Sequence, residues 1–308
     1  MQIRIFCGKG GVGKTTSAVS TALFLASQGQ KTAIVDYDGG HSVKSTLGIS
    51  GELSANVIHH GICENLGIAI VENTAFASIV LSRERGDSFD AYLEQFPGDL
   101  GIIPLADMVN AFFGVPTDVP NLQKFMTLVR VLLDLEEAGY SNVIIDVEPT
   151  AGLERLLSNA DSTARSIRNL QKQGALSLLA IGAKWPDIAK YLKGEYIKSA
   201  DRYSVRIERA VAMITGAVYL LVCIPEASPV GQALEVRGII EKFGGWVHGC
   251  VVNNIRGEDY EDGNITRLTN AGVQIVRVKR RGQLHVAGSE RSHMLLEVGA
   301  EIAQGLRL

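Results

Sequence analysis

Between Gly8 and Thr16 the chain reads Gly-Lys-Gly-Gly-Val-Gly-Lys-Thr-Thr, a stretch whose residue types could act together on one ligand. It fits the spacing G-x-x-x-x-G-K-[ST], in which glycines let backbone N–H groups turn inward onto phosphate oxygens. In that pattern Gly10, Gly11, Val12 and Gly13 form the amide cradle together with Lys14, Thr15 and Thr16. Lys14 would reach the β- and γ-phosphates, and the Thr15 hydroxyl would ligate Mg²⁺. Such a cradle needs a strand before it and a helix behind it. Met1–Cys7 reads as a short buried strand, and Thr15–Gln28 carries apolar residues at Ala18, Leu23, Leu25 and Ala26 before a stop at Gly29. The dipole of that helix would add partial positive charge at the same point.

Three further polar positions sit where sheet ligands belong. Lys31–Asp36 reads as a second strand, and Asp36 and Asp38 lie at and just past its carboxyl end, so both are candidates. Asn142–Asp146 is another strand ending in an acid, as expected of the residue that holds Mg²⁺ through water opposite a phosphate loop.

Lys9 is not needed by an ordinary phosphate loop, whose lysine is Lys14. With it, Lys9–Thr16 resembles the deviant phosphate-loop ATPases. These include nitrogenase iron protein, septum-placement and plasmid-partition ATPases, arsenite-pump ATPases and tail-anchored-protein targeting ATPases. The resemblance implies ATP with Mg²⁺ as ligands, and a nucleotide-sandwich homodimer in which Lys9 reaches the partner's nucleotide. The segment from Asp38 resembles the switch I motif Asp-Pro-Ala-His-Ser-Leu-Ser-Asp of the arsenite-pump and targeting branch. Asp38, His41 and Ser42 match, while Gly39 and Ser45 depart. By that resemblance Asp38 orients the attacking water. The segment from Asp146 resembles switch II, Asp-Thr-Ala-Pro-Thr-Gly-His-Thr-Leu-Arg: Asp146, Pro149, Thr150 and Arg155 match, and Glu148 and Gly152 depart. Asn253, after a strand over Trp246–Val252, matches the position that holds the adenine base. The family's proline-containing adenine loop has no recognisable counterpart after residue 255.

The remaining elements follow from periodicity and breakers. Leu66–Val71, Ala217–Ile224 and Gly272–Val278 read as strands, and Val230–Phe243 and Glu290–Gly305 as helices. Residues 74–139 are mostly helical, with helices at Thr74–Leu81, Phe89–Phe96, Ile102–Phe113 and Leu122–Ala138; Ala160–Met213 is a second helical stretch. The expectation is a single ATPase domain over 1–308. Its fold is α/β and doubly wound, with a mainly parallel sheet and a helical subdomain from insertions at about 74–139 and 153–215. The apolar run Ala175–Ala183 would serve either as core or, as in the targeting ATPases, as part of a groove for hydrophobic clients.

A net charge of −3 gives no general reason to bind nucleic acid, and Arg277, Lys279, Arg280 and Arg281 form the only basic cluster. Cys7, Cys63, Cys223 and Cys250 make no CxxC pair and read as thiols of a cytoplasmic protein. No signal peptide is visible, and no apolar run is long enough to span a bilayer. The expected function is a Mg²⁺-dependent ATP-hydrolysing homodimer of the arsenite-pump/targeting type, with a hydrophobic protein client or membrane-protein partner. A partition or positioning ATPase acting on DNA or membrane is the alternative, favoured by the pair Asp36 and Asp38. A nucleotide-bound scaffold with little turnover is the third reading.

Overall fold

The computed structural model describes residues 1–38, 42–72, 119–173, 195–281 and 289–308. Gly39, Gly40, His41, the helices expected between residues 74 and 113, and the Ala175–Ala183 run lie outside the described residues.

Eight strands form one sheet: β1 (Gln2–Cys7), β2 (Thr32–Asp36), β3 (Ile58–Cys63), β4 (Leu66–Ile70), β5 (Asn142–Asp146), β6 (Val218–Cys223), β7 (Val247–Ile255) and β8 (Ile275–Lys279). Their order is β3-β4-β2-β5-β1-β6-β7-β8. Every neighbouring pair is parallel except β3 with β4. The described helices are α1 (Lys14–Ser27), α2 (Ser42–Leu47), α3 (Val119–Glu137), α4 (Ala151–Gln173), α5 (Glu195–Thr215), α6 (Ala227–Lys242), α7 (Asp259–Asn270) and α8 (Ser289–Leu306). This is the doubly wound α/β arrangement with a mainly parallel sheet.

β2, β4 and β5 are buried end to end, and β6 at all but its first residue, which is why they read as continuous apolar runs. Phe6, Ile34, Ile144, Leu220 and Val251 share one core with Val19, Ala22 and Leu25 of α1 and Leu295, Val298 and Ile302 of α8. α1 and α8 can lie close because the contact is made of small residues; a Cβ on Gly299 would collide with the Ser20 carbonyl. On the opposite face α6 packs over β6 and β7.

By contacts the chain divides into two units. One comprises 1–72, 131–157 and 213–308 and holds the sheet; the other comprises 73–130 and 158–212, and its described residues are all helical.

Three elements escape the sequence pattern: the short helix α2, β3 and α7. β3 is an antiparallel edge strand, Ile-His-His-Gly-Ile-Cys, with a register irregularity between His59 and Cys63 and no fully buried side chain. Polar, irregular edges of this kind discourage further strand pairing and carry little hydrophobic signal. α7 contains Gly263 and a run of acids, and buries only Glu261, Ile265 and Leu268.

Candidate functional site

Chain order turns around β1. It leaves β1 toward β2 on one side and, after β5, resumes at β6 on the other, so the carboxyl end of β1 is a switch point where a crevice opens. The glycine-rich segment 8–13 occupies that point. Gly13 sits at φ 91°, a left-handed conformation that glycine adopts without strain, and α1 begins at the next residue. No side chain caps α1, and no acid lies in its first turn, so its first amides keep their capacity for an anion. Lys14 is 6% exposed, whereas Lys9 projects into solvent. The two lysines of one loop therefore face different surroundings.

Register brings the acids together. Asp146 pairs with Phe6 of β1 on one side and with Asp36 of β2 on the other. Thr15 Oγ1 donates to Asp146 Oδ2 at 2.6 Å and lies 3.4 Å from Ser42 Oγ at the start of α2. Asp146 Oδ1 is buried without a hydrogen-bond partner among the described residues. Burial pushes the Asp146 carboxyl up to about 6; the Thr15 hydrogen bond and Lys14 pull it down, and Asp36 and Asp38 push it up again. Asp146 thus has one buried lysine and two further acids, Asp36 and Asp38, in its surroundings. An orphaned carboxylate oxygen beside a threonine hydroxyl fits a hydrated divalent cation. Among the described residues no group of three or more His, Cys, Asp or Glu could hold a metal alone. Mg²⁺ does not require one, since water and phosphate oxygens supply most of its shell.

Asp36 and Asp38, equivalent by position, differ in the structure. Asp36 is fully buried, and its Oδ1 accepts the Asp38 backbone N–H at 3.1 Å. Asp36 therefore shapes the turn, while the Asp38 side chain stays partly exposed at its tip. Tyr37 between them is buried, its N–H donating to the Asp146 carbonyl at 2.9 Å.

After β5 the chain passes under the loop: a Cβ on Gly10 would lie 3.8 Å from Pro149 Cγ. At the switch II departures, a Cβ on Gly152 would lie 2.2 Å from Glu148 Cβ, so the backbone there leaves no room for a side chain at 152. Glu148 Oε2 lies 3.8 Å from the Arg155 guanidinium.

Asn253 lies near the end of β7, across from the loop. Its Nδ2 is 3.1 Å from the Val12 carbonyl, 3.2 Å from Ser17 Oγ and 3.5 Å from the Gly13 carbonyl. Of the residues expected at the site, the structure gathers Gly10–Thr16, Asp38, Asp146 and Asn253 at one sheet end. Lys9 belongs to the same loop and is exposed to solvent. Ser17 and Ser42 are additional members: Ser17 follows the motif's last threonine on the same helix, and Ser42 matched the switch I pattern.

A model of the anion-transporting ATPase family matches residues 1–279. The chain belongs to that family. It is accordingly an ATP hydrolase. Among curated relatives, ATPase GET3C of Arabidopsis thaliana is 27% identical over 298 residues, 91% of this chain and 71% of the relative. A putative arsenical pump-driving ATPase of Chlorobaculum tepidum is 25% identical over 263 residues, 83% of this chain and 61% of the relative. ATPase ASNA1 homolog 2 of Paramecium tetraurelia is 22% identical over 267 residues, 80% of this chain and 74% of the relative. The cell division ATPase MinD of Pyrococcus furiosus superposes with a TM-score of 0.49 over 98% of both chains at 14% identity.

The basic cluster has local partners. Arg277 pairs with Asp262 at 2.9 Å, and Arg281 pairs with Glu297 and Glu301. All four cysteines are free: Cys7, Cys223 and Cys250 are buried, and Cys63 is exposed. Among the described residues no helix is long and apolar enough to cross a membrane.

Proposed function

We propose that this ATPase is a Mg²⁺-dependent, nucleotide-switched homodimer that couples ATP binding and hydrolysis to a hydrophobic client or membrane-protein partner. The observation that carries the reading is the division of labour between the loop's two lysines. Lys14 is buried beside Asp146, whereas Lys9 is exposed to solvent, as a residue reaching a phosphate on a second molecule would need to be.

In this mechanism the amides of Gly10–Thr16 and Lys14 hold the β- and γ-phosphates and stabilise charge on the transferring phosphoryl group. Thr15 and, through water, Asp146 would hold Mg²⁺, which would supply positive charge against the phosphate oxygens. Asp38 orients the attacking water from the turn built by Asp36. Lys9 of the opposite subunit completes the charge around the γ-phosphate, so the catalytic groups are Lys9, Lys14 and Asp38. Tyr37 and Ser42 flank Asp38 and reach Asp146 and Thr15 respectively, which would report the γ-phosphate to the segment between β2 and α2.

The chain would be a single ATPase domain whose helical subdomain, about 74–139 and 153–215, receives that partner. Support for a membrane-protein partner is the pump-driving role named for the Chlorobaculum relative. Scattered and mostly buried cysteines argue against thiol capture of a metalloid by this chain itself. The local neutralisation of Arg277 and Arg281 argues against a nucleic-acid partner. Cytoplasmic residence goes with this reading.

Light scattering of the protein with Mg²⁺ and a non-hydrolysable ATP analogue tests it. The analogue should produce a dimer in the wild type. A monomer in every nucleotide state would overturn the homodimer.

A further inference from the structure

A loop whose amides converge on phosphates must turn its carbonyls outward, and buried outward carbonyls need donors. Val12 is 3% exposed, and the donor to its carbonyl is Asn253 Nδ2 at 3.1 Å. The Gly13 carbonyl accepts the Ser17 N–H at 2.9 Å and the Ser17 hydroxyl at 2.9 Å, with Asn253 Nδ2 3.5 Å away. Two carbonyl oxygens around one atom fix it as the amide nitrogen, the only donor end of the side chain. The fit is close: a Cβ on Gly13 would lie 2.5 Å from that nitrogen.

The far end of this strut is held as well. Beyond Asn253 the chain turns through Asn254 at φ 61° and Gly257 at φ 84°. Glu261, 3% exposed, accepts the Arg256 N–H at 3.0 and 3.2 Å and the Gly257 N–H at 2.9 Å. One side chain of α7 thus pins the loop that follows β7. Asn264 ties the same helix to the Pro225 carbonyl at 3.2 Å, beside the end of β6.

We infer that Asn253 is a positioning residue of the phosphate loop, holding the Val12 and Gly13 carbonyls outward so that the loop amides face the triphosphate. This rests on reading 8–16 as the phosphate loop. It gives the end of β7 a task in phosphate binding that does not depend on the base.

The test compares MgATP with magnesium tripolyphosphate, which carries the phosphates and no base, by calorimetric titration of the full chain. Asn253→Ala should weaken both ligands by the same factor, about tenfold for one lost hydrogen bond to a buried carbonyl. Asn253→Asp should be worse than alanine for both, because it sets a carboxylate against two carbonyl oxygens; a packing role would rank it nearer wild type. In the ligand-free protein, hydrogen exchange at the amides of Val12–Thr16 should quicken in Asn253→Ala while β4 is unchanged. Loss of ATP affinity with tripolyphosphate binding intact would make Asn253 a base ligand and overturn the inference, as would unchanged exchange at the loop. Lys14→Ala separates the two layers. If it abolishes both ligands while Asn253→Ala spares tripolyphosphate, only the strut fails; if it spares both, the phosphate loop fails.

Discussion

Replacing Asp146 by asparagine should stabilise the ligand-free protein while removing its turnover. The carboxyl is fully buried, and burial raises it from 3.8 to about 6 against the pull of Thr15 and Lys14. Below pH 3.8 both folded and unfolded chains hold the proton, and the buried group costs nothing. Between the two values the unfolded chain releases its proton first, so stability falls as pH rises; above about 6 the cost is complete. A difference of about 2 units corresponds to about 3 kcal/mol of destabilisation at neutral pH. The asparagine carbonyl can still accept from Thr15. Its N–H₂ would sit where Oδ1 has no partner, which returns about 1 kcal/mol of the gain. Roughly 2 kcal/mol remains, or about 3 °C for a chain of this length. Thermal unfolding without nucleotide or Mg²⁺ measures it, and the gain should shrink to about 1 °C at pH 5, where the folded carboxyl is mostly protonated. A variant no more stable than wild type at pH 7.5, or one whose gain grows at pH 5, would refute the claim that an uncompensated charge is stored here.

Three other substitutions separate the roles within the site. Lys14→Ala should abolish tight ATP binding or leave binding without turnover, since it removes a charge aimed at the β/γ-phosphates; normal ATPase activity would remove the phosphate-loop assignment. Lys9→Ala should keep nucleotide affinity near wild type in titration and lose turnover, by about a hundredfold or more on the scale of one positioned charge. Asp38→Asn should trap ATP with a loss of similar size. Asp36→Asn should be milder in steady-state assays because its amide oxygen can still accept the Asp38 N–H; a dead Asp36 variant beside an active Asp38 variant would invert the assignment.

Most of the sheet was legible because buried parallel strands are short apolar runs closed by acids, as in Thr32–Asp36 and Asn142–Asp146. The phosphate loop was legible because its glycines, lysine and threonines have fixed spacing. What escaped has physical causes. β3 hides because an edge strand covered on one side can carry two histidines and a glycine. α7 hides because its buried contribution is chiefly one acid, Glu261, whose purpose appears only when the amides of Arg256 and Gly257 fold back onto it. The distinction between Asp36 and Asp38 lay beyond spacing, since two residues of a turn differ by burial alone. Asn253 was placed by resemblance at a base; its hydrogen bond to Val12, 241 residues away in sequence, depends on where β7 lies relative to β1, one strand away in the sheet.

The central claim, that Lys9 serves the opposite subunit's site, is tested most directly by mixing two inactive proteins. Lys9→Ala and Asp38→Asn subunits would be combined, allowed to exchange, and assayed for ATP turnover with Mg²⁺. In a two-fold dimer with Lys9 acting across the interface, the mixed dimer has one intact site, with Asp38 from one subunit and Lys9 from the other. Equal mixing should then restore up to about a quarter of wild-type activity, half of the dimers being mixed and half of their sites complete. If Lys9 acts within its own subunit, every site in every dimer lacks one group. A mixture that forms mixed dimers and stays as inactive as its components contradicts the account.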